Sequence, residues 1–149
     1  MLNENLKVTG AVSIQLTNEN GAIVESRKIP NLVVSAGRTF IAASMLKTTS
    51  NSPAAMTHMA AGTNSTAAAT PDTALGAEVG RVTLTSSTSS ANVVTYTATF
   101  PAGTATGALT EAGIFNASSA GTMLCRTVFS VVNKGASDAL TITWTITVS

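Results

Sequence analysis

The chain has 149 residues, 10% of them charged and 44% hydrophobic, with a formal net charge of +1 and one cysteine. That length predicts a single domain spanning residues 1–149, with a core large enough to fold without metal or disulfide. The few basic residues are scattered along the chain and form no cluster that could neutralise a run of phosphates, so no nucleic-acid partner is expected.

A typical soluble domain has about 25% charged residues. Here Ala, Thr, Ser, Gly and Asn take their place, and aromatics are only 4%. Such a surface is neutral and hydroxyl-rich, and weak net charge protects poorly against association. The composition therefore suits a subunit with much of its surface covered. The lone Cys125 permits no intrachain disulfide and fits a reducing compartment. Met1 to Lys7 is polar and predicts no signal peptide. No apolar run approaches the ~18 residues of a membrane span, so no membrane partner is expected.

The first element is a strand. Val8, Val12, Ile14 and Leu16 share one parity from Leu6 to Thr17, the period of a half-buried strand. Asn18-Glu19-Asn20-Gly21 then supplies a hairpin turn, with Asn-Gly providing positive φ. The return strand runs from Ala22 to Ile29 and stops at Pro30, which has no N–H to donate. Asn31 to Val34 is a short apolar link. From Ala36 to Leu46, Phe40, Ile41, Ser44 and Met45 recur at helical spacing among alanines, which predicts one short helix, with Ser35 placed to cap it.

Lys47 to Pro53 reads as a polar loop, and Met56 to Gly62 as an extended apolar segment. Thr63 to Thr73 is a low-complexity Ala/Thr/Asn stretch. It predicts a long surface loop, the kind of segment that carries function, and one whose trimming should leave folding nearly intact. A brief helical turn is expected over Ala74 to Val79.

The rest predicts strands. Arg81 to Ser87 alternates around Val82 and Leu84. Val94, Tyr96, Ala98 and Phe100 form one face of the next strand, with Thr95, Thr97 and Thr99 opposite. Leu109 to Asn116 and Thr122 to Val132 follow, joined through Ser118 to Gly121, and Asn133 to Asp138 forms a turn. In the last strand Leu140, Ile142, Trp144, Ile146 and Val148 alternate with Thr141, Thr143, Thr145 and Thr147. Short strands broken by turns every ~8–12 residues predict an all-β, mainly antiparallel fold, a β-sandwich or jelly-roll-like arrangement. The threonine faces suit a pleated surface that is solvated or shared with a neighbouring subunit.

Residue types needed for catalysis are sparse. His58 is the only histidine and lies in an apolar segment. Cys125 alternates with Met123 and Thr127 and reads as a buried, inert thiol. One His and one Cys do not complete a tetrahedral metal site, the acids form no glycosidase-like pair, and no glycine cluster cradles phosphate before a helix. No catalytic, cofactor or metal site is expected, and no small-molecule substrate. Glu111, between apolar residues in Leu109-Thr110-Glu111-Ala112-Gly113-Ile114-Phe115, is either a strand residue facing water or a buried carboxylate paired with Arg81 or Arg126.

Several stretches together carry a resemblance. A hairpin followed by Asn31-Leu32-Val33-Val34-Ser35-Ala36-Gly37-Arg38 precedes Met56-Thr57-His58-Met59-Ala60-Ala61-Gly62-Thr63. Asp72-Thr73-Ala74-Leu75 and Leu109 to Asn116 come next. This succession resembles small virion proteins of tailed bacteriophages. The later part is similar to domains of tail fibres and tail-collar proteins, and the length and β-rich character look like capsid cement, or decoration, proteins.

The resemblance implies a non-enzymatic virion component, assembled in the host cytoplasm. Its first form is a cement protein that binds the major capsid protein on the outside of the head as a dimer or trimer. The alternative is a tail-fibre or tail-collar module that binds a host receptor or glycan, but no long trimeric shaft is encoded. On the cement reading, contacts are expected at the hairpin end (Asn18, Asn20, Gly21) and in the long loop (Asn64, Ser65, Thr66, Pro71, Asp72).

Overall fold

A computed structural model describes residues 4–46 and 50–149. Its elements in chain order are β1 (Val8–Thr17), β2 (Ile23–Pro30), β3 (Leu32–Val33), α1 (Ser35–Ser44), β4 (His58–Gly62), β5 (Glu78–Thr83), β6 (Ser86–Ser90), β7 (Val93–Phe100), β8 (Gly107–Phe115), β9 (Met123–Lys134) and β10 (Ala139–Val148). The strands form two five-stranded sheets. Sheet A has the order β2-β1-β10-β7-β6 and sheet B the order β3-β9-β8-β4-β5. Every pairing is antiparallel.

One apolar core joins the sheets. Sheet A contributes Val12, Ile14, Leu16, Tyr96, Phe100, Ile142 and Trp144, and sheet B contributes Met59, Leu109, Ile114, Leu124, Phe129 and Val132. Register keeps the apolar residues in line: Trp144 lies opposite Val12 on one side and Tyr96 on the other, and Ile142 lies between Ile14 and Ala98. The alternation read from the sequence is therefore the alternation between core and outer face.

The opening hairpin closes through Asn18. Its carbonyl accepts the Gly21 N–H at 3.0 Å, and its Oδ1 accepts the N–H groups of Asn20 and Ala22, each at 3.0 Å. Gly21 alone takes positive φ, +77°. The turn is thus a longer loop with a left-handed glycine, rather than a two-residue Asn-Gly turn in which both residues have positive φ.

Helix α1 spans Ser35–Ser44, but Ser35 does not cap it. Val34 occupies the N-cap position and no side chain caps the end. The Ser35 N–H instead donates to the Thr70 carbonyl at 2.8 Å. Gly37 is where the helix touches β9: a Cβ there would stand 1.9 Å from the Leu124 carbonyl oxygen.

Two expectations fail locally. Arg81 to Ser87 is two strands, because the chain changes partners at Leu84 and Thr85. The Leu84 N–H donates to Thr57 and the Thr85 N–H to Thr97, so β5 stays in sheet B and β6 joins sheet A. The turn predicted from Asn133 begins at Gly135, since Asn133 and Lys134 continue β9. Of the polar loop from Lys47 to Pro53, residues 47–49 lie outside the described residues.

Trp144 is 0% exposed, and Thr143 points to the opposite face of the same strand. Trp144→Ala is expected to cost about 3–5 kcal/mol in a denaturant melt, and Thr143→Ala under about 0.5 kcal/mol. Equal losses would contradict a two-faced strand.

Candidate interaction surfaces

Glu111 lies on β8 with its side chain on the outer face of sheet B, yet it is 0% exposed. A carboxylate taken out of water is costly unless its lone pairs are met. Oε1 accepts backbone N–H groups from Asn64 (3.2 Å) and Ala77 (2.7 Å). Oε2 accepts the Gly76 N–H (2.9 Å) and both Nε (3.0 Å) and Nη2 (2.8 Å) of Arg126. Arg126 is on the adjacent β9, two positions along in register from the residue facing Glu111. This diagonal is within reach of long side chains.

The guanidinium is buried too, and its remaining donors are all engaged. Nη1 donates to Asp72 Oδ2 (2.9 Å) and the Ala67 carbonyl (3.5 Å), and Nη2 to the Thr66 carbonyl (3.1 Å). A planar five-donor fork is suited to several acceptors at fixed angles. Gly62 faces Glu111 from β4 and makes room for it: a Cβ there would stand 2.5 Å from Glu111 Oε1 and 2.5 Å from the Ala77 carbonyl oxygen.

Residues 63–77 therefore form a strap fastened across sheet B. Leu75 drops from it into a second apolar cluster with Val34, Ala60, Phe115 and Met123. Arg81 covers Phe115 with its guanidinium 3.8 Å from the ring centroid, donates to the carbonyls of Ala117 and Ala120, and pairs with Glu78.

This arrangement decides two open alternatives and corrects two expectations. Glu111 does not face water. Of the two arginines considered for it, Arg126 is the partner. The Thr63–Thr73 segment is part of the fold, because trimming it would strip partners from a buried ion pair. The helical turn expected over Ala74 to Val79 does not form either, since the Gly76 and Ala77 amides turn to Glu111 and β5 begins at Glu78.

The expected contact residues fall into two separate groups. Asn18, Asn20 and Gly21 lie at the β1–β2 turn of sheet A. Asn64, Ser65, Thr66, Pro71 and Asp72 lie on the strap over sheet B. Asn64 Oδ1 accepts the Thr66 N–H (2.7 Å) and Asp72 Oδ2 accepts the Ala69 N–H (2.9 Å), so both side chains shape the strap, while Ser65, Thr66 and Pro71 are exposed. A hollow of about 310 Å³ beside the strap is lined by Ser65, Ala67, Pro30, Asn31 and Arg126 among others. A groove of about 560 Å³ along α1 includes Leu6, Lys7, Arg38, Ile41 and Met45.

The outer face of sheet A is lined by hydroxyl side chains. In register across the strands lie Ser13, Thr143, Thr97 and Ser86, then Ala11, Thr145, Thr95 and Thr88, then Gln15, Thr141 and Thr99. Lys28, at the β2 edge beside Ser13, adds a charge to it. The Thr99 and Thr141 hydroxyls bond each other at 2.9 Å.

The ring nitrogens of His58 face the hydroxyls of Thr57 and Thr83, not Cys125. Cys125 is buried, and burial pushes its thiol well above its ordinary value. Among the described residues no group of three or more His, Cys, Asp or Glu side chains could hold a metal ion. No protein-family profile, curated protein or solved structure matches the chain.

Two outcomes follow from the buried groups. Glu111→Gln or Arg126→Met alone is expected to cost about 3–5 kcal/mol, because each leaves a buried group unpaired. The double variant should lose clearly less than the sum; additive losses in a double-mutant cycle would show that the pair is not coupled. For Cys125, the folded state keeps its proton where the unfolded state has lost it, so stability is expected to fall as pH rises past 9.0, the ordinary thiol value. Cys125→Ala should lack that part of the decline. Parallel pH profiles for the two proteins would contradict it.

Proposed function

We propose that this chain is a structural protein of a tailed-phage particle, a cement protein that binds the major capsid protein on the outside of the head. The observation that carries the reading is the outer face of sheet A, a rigid, hydroxyl-rich, almost charge-free surface backed by a packed core. Neutral hydroxyl surface makes many short-range contacts without the cost of stripping water from charges. The resemblance of the hairpin, the strap sequence and the Leu109–Asn116 strand to phage virion proteins supports the same assignment.

The mechanism is mass action. A protein that binds only the assembled shell stabilises it by RT ln(1 + [L]/Kd), and repeated copies on a symmetric lattice add avidity. The face centred on Thr143 makes the main contact. The hairpin turn (Asn18, Asn20, Gly21) contacts a neighbouring capsid subunit at its margin, while the strap (Asn64, Ser65, Thr66, Pro71, Asp72), on the outer side of sheet B, faces away from this contact.

The receptor- or glycan-binding tail reading is less well supported. Sugars favour exposed aromatic platforms, and Trp144, Tyr96, Phe100, Phe115 and Phe129 are all buried, while Phe40 is half-buried against the core.

Antibody labelling of whole particles against this chain is expected to give a regular array over the head. Label confined to the tail or its tip would overturn the cement reading and support receptor binding. In a pull-down with empty heads, Thr143→Asp should weaken binding by about tenfold or more, equivalent to ~1.4 kcal/mol, with the melt unchanged. Undiminished binding would remove the sheet A face from the contact.

A further inference from the structure

Two open sheets leave four edge strands: β2 and β6 in sheet A, β3 and β5 in sheet B. An edge presents unpaired N–H and C=O groups to any strand that approaches, and proteins that avoid this place charges, proline, bulges or very short strands there. Three of the four edges carry such devices. β2 contains Glu25, Arg27 and Lys28 and ends at Pro30, with the Arg27 guanidinium turned to the carbonyls of Ser130 and Val131. β3 has only two residues. β5 carries Glu78 and Arg81, and its register with β4 shifts at Ala61/Gly62.

β6 has none of them except modest length. It reads Ser-Ser-Thr-Ser-Ser, every residue is exposed, and its register with β7 is unbroken from Ser86↔Thr97 to Ser90↔Val93. Ala91 and Asn92 form a two-residue connection, which makes Ser90↔Val93 the closing hydrogen-bonded pair. Alternation then directs the backbone groups of Ser90, Thr88 and Ser86 to β7, and those of Ser87 and Ser89 outward.

We propose that a second copy of this chain pairs with this one along β6, antiparallel, about a two-fold axis through Thr88. In that register Ser87 faces Ser89 of the second copy and Ser89 faces its Ser87. These are the residues whose N–H and C=O groups point outward, so each pair exchanges both hydrogen bonds. Thr88 faces its own counterpart, a favourable cross-strand hydroxyl pair. The contact is self-complementary, as a two-fold interface requires. β6 contributes no charge to meet a like charge across the axis, and the net charge of +1 gives little long-range repulsion.

Pairing joins the two copies of sheet A edge to edge, so that their hydroxyl-rich outer faces form one continuous surface. The pairing goes beyond the capsid reading and is tested without it, since self-association is measured with no phage head present.

The test uses sedimentation velocity on the full chain, with a thermal melt of each variant to establish folding. Wild type is expected to reach twice the monomer mass of 15.0 kDa as concentration rises. Thr88→Lys and Thr88→Glu place like charges on the axis, and each alone should stay monomeric with the wild-type melt. Mixed in equal amounts they should form dimers again, because Lys then faces Glu. A wild type that stays monomeric at the highest attainable concentration, or assembles as a trimer, would overturn the proposal. So would a Thr88→Lys protein that dimerises like wild type, or a mixture that stays monomeric.

Discussion

The burial of Glu111 is the constraint on which the surrounding structure depends. Its carboxylate is held out of water beneath residues 63–77, and a buried carboxylate must have its lone pairs met. Arg126 meets part of that need, and the backbone amides of Asn64, Gly76 and Ala77 meet the rest. The same two side chains thus hold both ends of a segment that would otherwise be a long free loop. Once it is held, Leu75 completes the small cluster over Phe115 and Met123, and the Thr70 carbonyl receives the first amide of α1. Strap, helix start and outer sheet behave as one packed unit.

The pairing also explains the two different faces of the sandwich. Seven of the few charged residues are bound to one another: Arg27 with Glu25, Arg81 with Glu78, and Arg126 with both Asp72 and Glu111. Lys134 is buried as well, donating to the Pro101 carbonyl at 2.9 Å, and burial pushes its amine below the ordinary value while Asp138 opposes the shift. Charge is concentrated on the covered side and at the margins, and the outer face of sheet A is left to threonine and serine.

The strands that alternate cleanly were legible from sequence, because a strand with one buried face writes its burial into every second residue. The β1, β7 and β10 patterns are of this kind, and the β1–β2 turn is marked by Asn18 and Gly21. The sheet change at Leu84–Thr85 was not legible, since Val82 and Leu84 alternate up to it and the Thr85–Ser90 run beyond it has no apolar residue to indicate a new partner. The strap was read as free surface because three of its anchors are backbone amides, which every non-proline residue carries, and because Ala/Thr/Asn composition does not distinguish a pinned segment from a loose one. Glu111 stood out between apolar neighbours, but its choice of Arg126 over Arg81 is set by the register of β8 on β9, a long-range fact. The serine run of β6 has neither apolar pattern nor charge, and its place at an open edge emerges only from the topology.

Amide hydrogen exchange at Asn64, Gly76 and Ala77 tests most directly whether the buried carboxylate makes the strap part of the fold. If it does, these three amides exchange as slowly as those in the β8–β9 ladder and speed up together in Glu111→Gln, while the sheet A amides are little changed. Exchange in the wild type at the rate of an exposed loop would contradict the account, and residues 63–77 would then be a free segment lying over sheet B.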